Sequence, residues 1–438
     1  MGAVQRLATA IGLADQPSAR AVFLHRDDKQ LFNLARCLDT IAAHHPLPLA
    51  GKIVVIKGNI DLHGLPTTAA SKTFEAPEAK TNAPLVRQLL DAGALPMGHA
   101  NMSEFAFSGL GLNPHFDSPL NALDRELVPG GSSSGCATAI ALGIADMAVG
   151  TDTSGSTRVP AAYQGIVGFR PSIGRYDGGG ILPLAPSLDT PGPMARNMTH
   201  LRALDEVLSN IPTPRISPPL PKFVLPNFEG LGTIDPAIIQ TMETAIRALE
   251  DAGIAIQRRH ITALTAVRDL FAKHGTLVAV EAGRALNPFA THDNEKLDPN
   301  VRLRLNAARQ ISSKDAEIIV SMRAGLQEQL ALELGEDLLL IPTVPALPPR
   351  VDHVVSDDKA FAHHNARALS LTMLGAYLDM PSLALPAGCA IPGHSITIAA
   401  TSGTDKHVLN AGHQLERFLL HSQPESLICP LPIPSLSI

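Results

Sequence analysis

Tryptophan is absent from the 438 residues, and all aromatic residues together make up only 4%. A binding pocket walled by stacked aromatic rings is therefore disfavoured. Cysteine is as scarce: Cys37, Cys136, Cys389 and Cys429 stand far apart, with no C-x-x-C pair. That spacing argues against a cysteine zinc motif and a disulfide framework, and fits a reducing cytoplasm. Positive charge is not in excess, because the formal net charge is -6, so no basic field draws phosphate backbones and nucleic acid is not an expected partner. Long apolar runs are missing too. The segment CATAIALGIADMAVG is broken by Asp146 before it reaches the roughly 20 residues that span a bilayer, so no transmembrane segment is expected. Histidines number 17, but H-E-x-x-H does not occur, and the adjacent pairs His44-His45 and His363-His364 would not share a helix face. No metal and no organic cofactor are expected.

Apolar residues at 45% and charged residues at 17% suit a compact globular chain. The length admits one large α/β domain with an insertion, or two domains. Residues 1 to 45 read as helical; Val4, Leu7, Ala8 and Ile11 mark an amphipathic face rather than a signal peptide. Ile53 to Ile56 then form a short buried strand ending on Lys57. The stretch APLVRQLLDAG reads as a helix closing at Gly93, followed by a strand. A small-residue helix from Cys136 to Leu142 leads into a strand at Met147 to Val149. This alternation of helix and strand is that of an α/β architecture. Residues 212 to 235 are proline-rich and read as a connector and edge strand, and 236 to 335 as a helical insertion. Beyond it, EDLLLIPTVPALPP reads as a strand entering a proline loop, and a helix leading back to the core, a final strand and an amphipathic helix are expected.

Three polar stretches sit at the ends of these elements: VVIKGNID at 54 to 61, VPGGSSSGC at 128 to 136 and GTDTSGSTR at 150 to 158. Serine is a poor nucleophile at neutral pH unless a neighbouring base takes its proton. Lysine serves as that base only when neutral, which burial promotes by lowering a pKa ordinarily near about 10.4. A lysine at the end of a buried strand is placed for such desolvation.

Together the three stretches resemble the amidase signature family, which is recognised by a lysine after a hydrophobic strand, a Gly-Gly-Ser-Ser loop and a Gly-Thr-Asp-x-Gly-Gly-Ser-x-Arg loop. Ser156 lies 24 positions beyond Ser132, as in that family. The likeness is dense from about 50 to 200, through NMSEFAFSGLGLNPHFDSPLN and LAPSLDTPGPMAR, and thin beyond 210. It implies a mixed β-sheet core surrounded by helices, a single domain over 1–438 with the signature core at about 50–200 and the helical insertion at about 236–335. It also implies a catalytic set: Ser156 as nucleophile, Ser132 as the bridging serine held by a cis peptide, and Lys57 as base. The N–H groups of Thr153, Ser154, Gly155 and Ser156 would form the oxyanion hole. Ser133 and Ser134 would hydrogen-bond within the same network, and Asp152 and Arg158 would brace the loop or contact substrate.

Two positions depart from the family pattern. Ser154 replaces the commoner glycine, which puts its donor geometry in question. Gly58 replaces an aspartate, removing a negative charge that would favour protonated lysine.

The implied reaction is hydrolysis of a small carboxylic amide to acid and ammonia or amine through an acyl-enzyme. The implied partner is a small-molecule amide, with no membrane, and a homodimer is the common family assembly. Three rival readings stand beside it. G-x-S-x-G around Ser133 would suit an α/β-hydrolase elbow, but the charged, proline-containing NALDRELVPG before it makes a poor central strand. An allophanate-type hydrolase acting on a urea-derived substrate is suggested by LALPAGCAIPGHSITIAATSGTD. A glutaminase subunit of an amidotransferase complex would release ammonia only beside its partner.

Overall fold

Every residue of the strand Ile53–Lys57 is buried, and its alternating side chains serve two different layers. Ile53 and Val55 pack with Cys136, Ala137 and Ile140, while Val54 and Ile56 pack with Leu85, Leu89, Met147 and Leu201. A strand covered on both faces reads as an unbroken apolar run, as Ile53 to Ile56 do in the sequence. The computed structural model describes residues 2–212, 219–290, 294–388 and 391–420. Cys389 and Cys429 lie outside them; Cys37 is exposed and Cys136 buried, both as free thiols.

The strands in chain order are β1 Phe23–His25, β2 Ile53–Lys57, β3 Leu95–Ala100, β4 Met147–Asp152, β5 Val167–Arg170, β6 Thr190–Ala195, β7 Phe223–Pro226, β8 Ile256–Arg259, β9 Leu338–Pro342, β10 Ser382–Pro386 and β11 Ser395–Ala399. They form one 11-stranded sheet in the order β1-β3-β2-β4-β6-β5-β10-β11-β9-β7-β8. β2 runs parallel to both β3 and β4, whereas β4 and β6 are antiparallel. The sheet is therefore mixed, with helices on both faces, as the resemblance implied.

Three details differ from the sequence reading. Residues 1 to 45 are not wholly helical: helices Ala3–Ala14 and Asp28–Ala42 flank β1, which pairs with β3 at the sheet's edge. Three residues are too few to show a period against their helical neighbours. In the first helix Ala3, Leu7 and Ala10 face inward, and Ala8 is exposed. β7 is not an edge strand, because β8 pairs beyond it in parallel. β8 comes from the helix-rich 236 to 335 stretch, and its half-exposed IQRR carries little apolar signal.

The parallel register sets Val54 beside Met147 and Ile56 beside Val149, so β2 and β4 end together. Sites in α/β sheets gather at such carboxyl ends, where loops leave adjacent strands. Helix Ser134–Ala141 covers the Ile53/Val55 face and is buried throughout. Its small residues let it lie close to the sheet, so the serine loop just before it reaches Lys57. Against the loop that follows β4 lies helix Asp358–Tyr377, which buries Phe361, Asn365, Ala368 and Thr372, spaced three or four apart. No described helix is long and apolar enough to cross a membrane.

Candidate active site

The Lys57 side chain, wholly buried at the end of β2, lies with Nζ 2.7 Å from Ser132 Oγ and 2.8 Å from Thr151 Oγ1. No carboxylate reaches it within ion-pair distance among the described residues. Burial pushes its amine down to about 7, against the weaker pull of Cys136, Asp152 and Asp189 in the other direction. Desolvation wins because the ammonium form has lost its water without gaining a paired anion. The sequence expectation for this lysine thus meets its two physical conditions, burial and a hydroxyl partner. Asn59 Nδ2 donates to the same Thr151 hydroxyl at 3.3 Å. Neither Thr151 nor Asn59 was singled out from the sequence, although both lie in the quoted stretches.

Ser132 follows Gly131 through a cis peptide. The loop is held from outside by neighbouring backbone: Gly130 and Gly131 donate to the carbonyls of Leu110 and Gly109, and Ser103 N–H donates to the Ser132 carbonyl. Gly130 has φ +79°, and a Cβ there would come within 2.7 Å of Pro160 Cα, so only glycine fits. The 54–61, 128–136 and 150–158 stretches meet here. Ser133 N–H donates to the Ser156 carbonyl at 3.1 Å, joining the two serine loops. The Ser156 side chain is 2% exposed, and its hydroxyl makes no hydrogen bond among the described residues.

Asp152, at the end of β4, organises the turn that carries Ser156. Its carboxylate accepts from Gly155 N–H at 2.7 Å, Thr157 Oγ1 at 2.8 Å and Thr157 N–H at 3.2 Å. Arg158 grips the same carboxylate through Nε and Nη2, each at 3.0 Å, and also donates to the Thr372 carbonyl. Burial by itself would raise the Asp152 pKa, but Arg158, Arg170 and the Thr157 hydroxyl hold it well below the ordinary carboxylate value. The guanidinium of Arg158 is thus committed to bracing the loop. Contact between Arg158 and substrate, one of the two roles drawn from the sequence, is not what this bidentate geometry serves.

Two further expectations change. Gly155 N–H is captured by Asp152, so it is not available as an oxyanion donor, whereas the N–H groups of Thr153, Ser154 and Ser156 take no acceptor among the described residues. A charged acceptor at 2.7 Å outcompetes a transient one. Serine at 154 is accommodated because the left-handed φ falls on Gly155, at +132°, and not on Ser154; the Ser154 carbonyl is held by Thr372 Oγ1 at 2.6 Å. A Cβ at Gly155 would collide with Thr372 Oγ1. The Ser133 and Ser134 hydroxyls, expected in the hydrogen-bond network, are buried without partners among the described residues; Ser133 contributes through its backbone instead.

Two cavities lie in this part of the molecule. One, of about 240 Å³, is lined by Asn59, Thr151, Thr153, Ala106 and Asp189. Asp189 accepts from Thr153 Oγ1 at 2.6 Å and from the N–H groups of Leu184 and Ala185, and burial raises its pKa. The other, of about 430 Å³, lies between helices Thr262–His274, Pro299–Ala308 and Asp358–Tyr377 and is largely apolar. Ala106, which lines the smaller cavity, belongs to the segment Glu104–Ala106, where Phe105 and Ala106 both adopt left-handed φ of 53° and 59°. Non-glycine residues hold that conformation only when their surroundings enforce it, and such strain gathers at binding sites.

Comparison with known proteins agrees with this geometry. The chain is 34% identical to the 2-amino-5-chloromuconic acid deaminase of Comamonas testosteroni over 78% of this chain and 75% of that protein. It is 30% identical to the mandelamide hydrolase of Pseudomonas putida, over 86% of this chain and 80% of that protein. A crystal structure of an amidase superposes with a TM-score of 0.84 at 29% identity, covering 96% of each chain. The Amidase family model matches residues 16–409. With the strand-end lysine, the two glycine-rich serine loops and this continuous match in hand, the chain belongs to the amidase family, hydrolases of carbon–nitrogen bonds in amides.

Proposed function

We propose that Ser156 attacks the carbonyl of a small carboxylic amide, with Ser132 and Lys57 moving its proton. Neutral Lys57 accepts the Ser132 hydroxyl proton as Ser132 accepts that of Ser156, and the Ser156 oxygen bonds to the amide carbon. The carbonyl oxygen becomes an oxyanion facing the unpaired N–H groups of Thr153, Ser154 and Ser156. Such donors stabilise it because they are fixed before the charge appears. The proton then returns through Ser132 to the amine, the C–N bond breaks, and ammonia or an amine leaves an ester on Ser156. Water, deprotonated along the same path, releases the acid.

The observation that carries this reading is the 2.7 Å contact of a buried, charge-unpaired Lys57 with Ser132. The apo separation of Ser156 from the network is the looseness expected before substrate orders the nucleophile. Free thiols at Cys37 and Cys136 support a cytoplasmic setting. The test is ammonia release from aliphatic, aryl and urea-derived amides by the wild type and by Ser156→Ala and Lys57→Ala. The reading expects each variant to lose at least about a thousandfold in kcat/KM. Retained turnover in Ser156→Ala would refute it. Preference for a urea-derived amide would select the allophanate-type variant, and ammonia from glutamine only beside a partner subunit would select the amidotransferase variant.

A further inference from the structure

The larger cavity carries two arginines and no carboxylate among its lining residues. Arg268 is used up: it donates to the carbonyls of Glu229 and Gly230 and pairs with Asp269. Arg304, on helix Pro299–Ala308, is not. One of its nitrogens donates to the Phe107 carbonyl, and the guanidinium stacks 3.9 Å from the Phe107 ring centroid. Nε and Nη2 have no acceptor, and no acidic group pairs with Arg304 among the described residues. Burial pushes its pKa down to about 10 with no anion opposing, so it is still cationic at neutral pH. The side chain is half-buried, so this cation is partly desolvated with no carboxylate opposite it, an arrangement that a bound anion would complete.

A second donor faces the same space. Asn365 Oδ1 accepts from Ser108 Oγ and from Gly109 N–H at 2.7 Å. Because a backbone N–H must meet an acceptor, the amide orientation is determined, and Nδ2 is left without a partner among the described residues. The rest of the wall is mainly apolar, with Phe271, Leu369, Met373 and Leu374, but also carries Thr276, Asn300 and Ser370. Two of the cavity's walls are tied to the catalytic loops by hydrogen bonds. Thr372, beside Met373, holds the Ser154 carbonyl, and Gly109 accepts from Gly131 N–H at 2.8 Å.

We propose that this cavity receives the far end of the substrate and that Arg304, aided by Asn365 Nδ2, binds a carboxylate there, making the enzyme selective for amides whose apolar skeleton ends in an acid. A volume of about 430 Å³ is within the usual small-ligand range. A guanidinium fixed on an aromatic ring presents its remaining N–H groups in the fork that a carboxylate matches. Arg304 is then a specificity-determining residue. The inference rests on the amidase reading above.

The experiment compares a matched pair, hexanamide and its ω-carboxylate counterpart adipamic acid, in the wild type, Arg304→Gln and Arg304→Lys. The wild type is expected to favour adipamic acid, and Arg304→Gln to lower that preference about tenfold to a hundredfold, mainly through KM. Arg304→Lys restores part of it. If Arg304 merely props Phe107, both amides lose equally, and that result overturns the proposal, as does a wild type without preference for the acid. Calorimetric binding of adipate to Ser156→Ala, with and without Arg304→Gln, reads the site without turnover. Weaker adipate binding in the double variant supports it even if neither amide is hydrolysed, in which case the amidase reading fails separately; equal binding overturns it.

Discussion

The Thr372 hydroxyl donates a 2.6 Å hydrogen bond to the Ser154 carbonyl, joining residues 218 positions apart. It also meets Gly155 so closely that no side chain fits there. The nucleophile loop is therefore held on one side by Asp152 and on the other by helix Asp358–Tyr377. Thr372→Val keeps the shape but leaves the carbonyl unpaired, at a cost of about 1–3 kcal/mol. We expect kcat to fall about tenfold or more with KM little changed, and Thr372→Ser to retain most of it. A valine variant with wild-type kcat would show that this anchor does not position Ser156.

Lys57 is the base only when uncharged, and its pKa is pushed down to about 7 by burial. Activity on an uncharged amide should therefore rise about tenfold per pH unit below that value and level off above it. Lys57→Arg keeps the charge and removes the titration, so it should be inactive across the range. A flat pH profile in the wild type would count against Lys57 as the proton acceptor.

Asp152 neutralises two buried guanidinium groups, Arg158 and Arg170. Asp152→Asn strips that charge and leaves Arg158 without an anion, while Arg170 keeps only Asp379 at 3.9 Å, a change that in buried pairs costs about 3–5 kcal/mol. Chemical denaturation should show a loss of that order. A stability within about 1 kcal/mol of the wild type would mean that the arginines find other partners.

Glu104 is buried, accepting from Ser71 Oγ and Asp298 N–H at 2.7 Å each, and burial raises its pKa to about 7. Between its unfolded value and that one, the folded state binds more protons. The stability it contributes is thus full at acid pH and lost as pH rises through about 7. Glu104→Gln keeps an acceptor and removes the charge. Its melting temperature relative to the wild type should improve steadily from about pH 5 to about pH 8, and a difference independent of pH would contradict this assignment.

Some of this was open to reading in the chain itself. Lys57, Ser132 and Ser156 stand in short glycine-rich stretches whose local order already dictates where loops leave strands, and Ile53 to Ile56 announce the strand that buries the lysine. The α/β architecture followed from the alternation of helix and strand, and the mixed sheet from the resemblance to the amidase signature family. Other features depend on residues that meet only after folding. β8 is too polar to stand out, and nothing near position 154 points to Thr372. Gly155 N–H was a plausible oxyanion donor until the turn folded it onto Asp152, and Arg304 resembled any surface arginine of a helix. Local sequence sets conformation and period, because those act over a few residues. Which donor meets which acceptor, and which charge is left without one, is decided by packing between elements hundreds of residues apart.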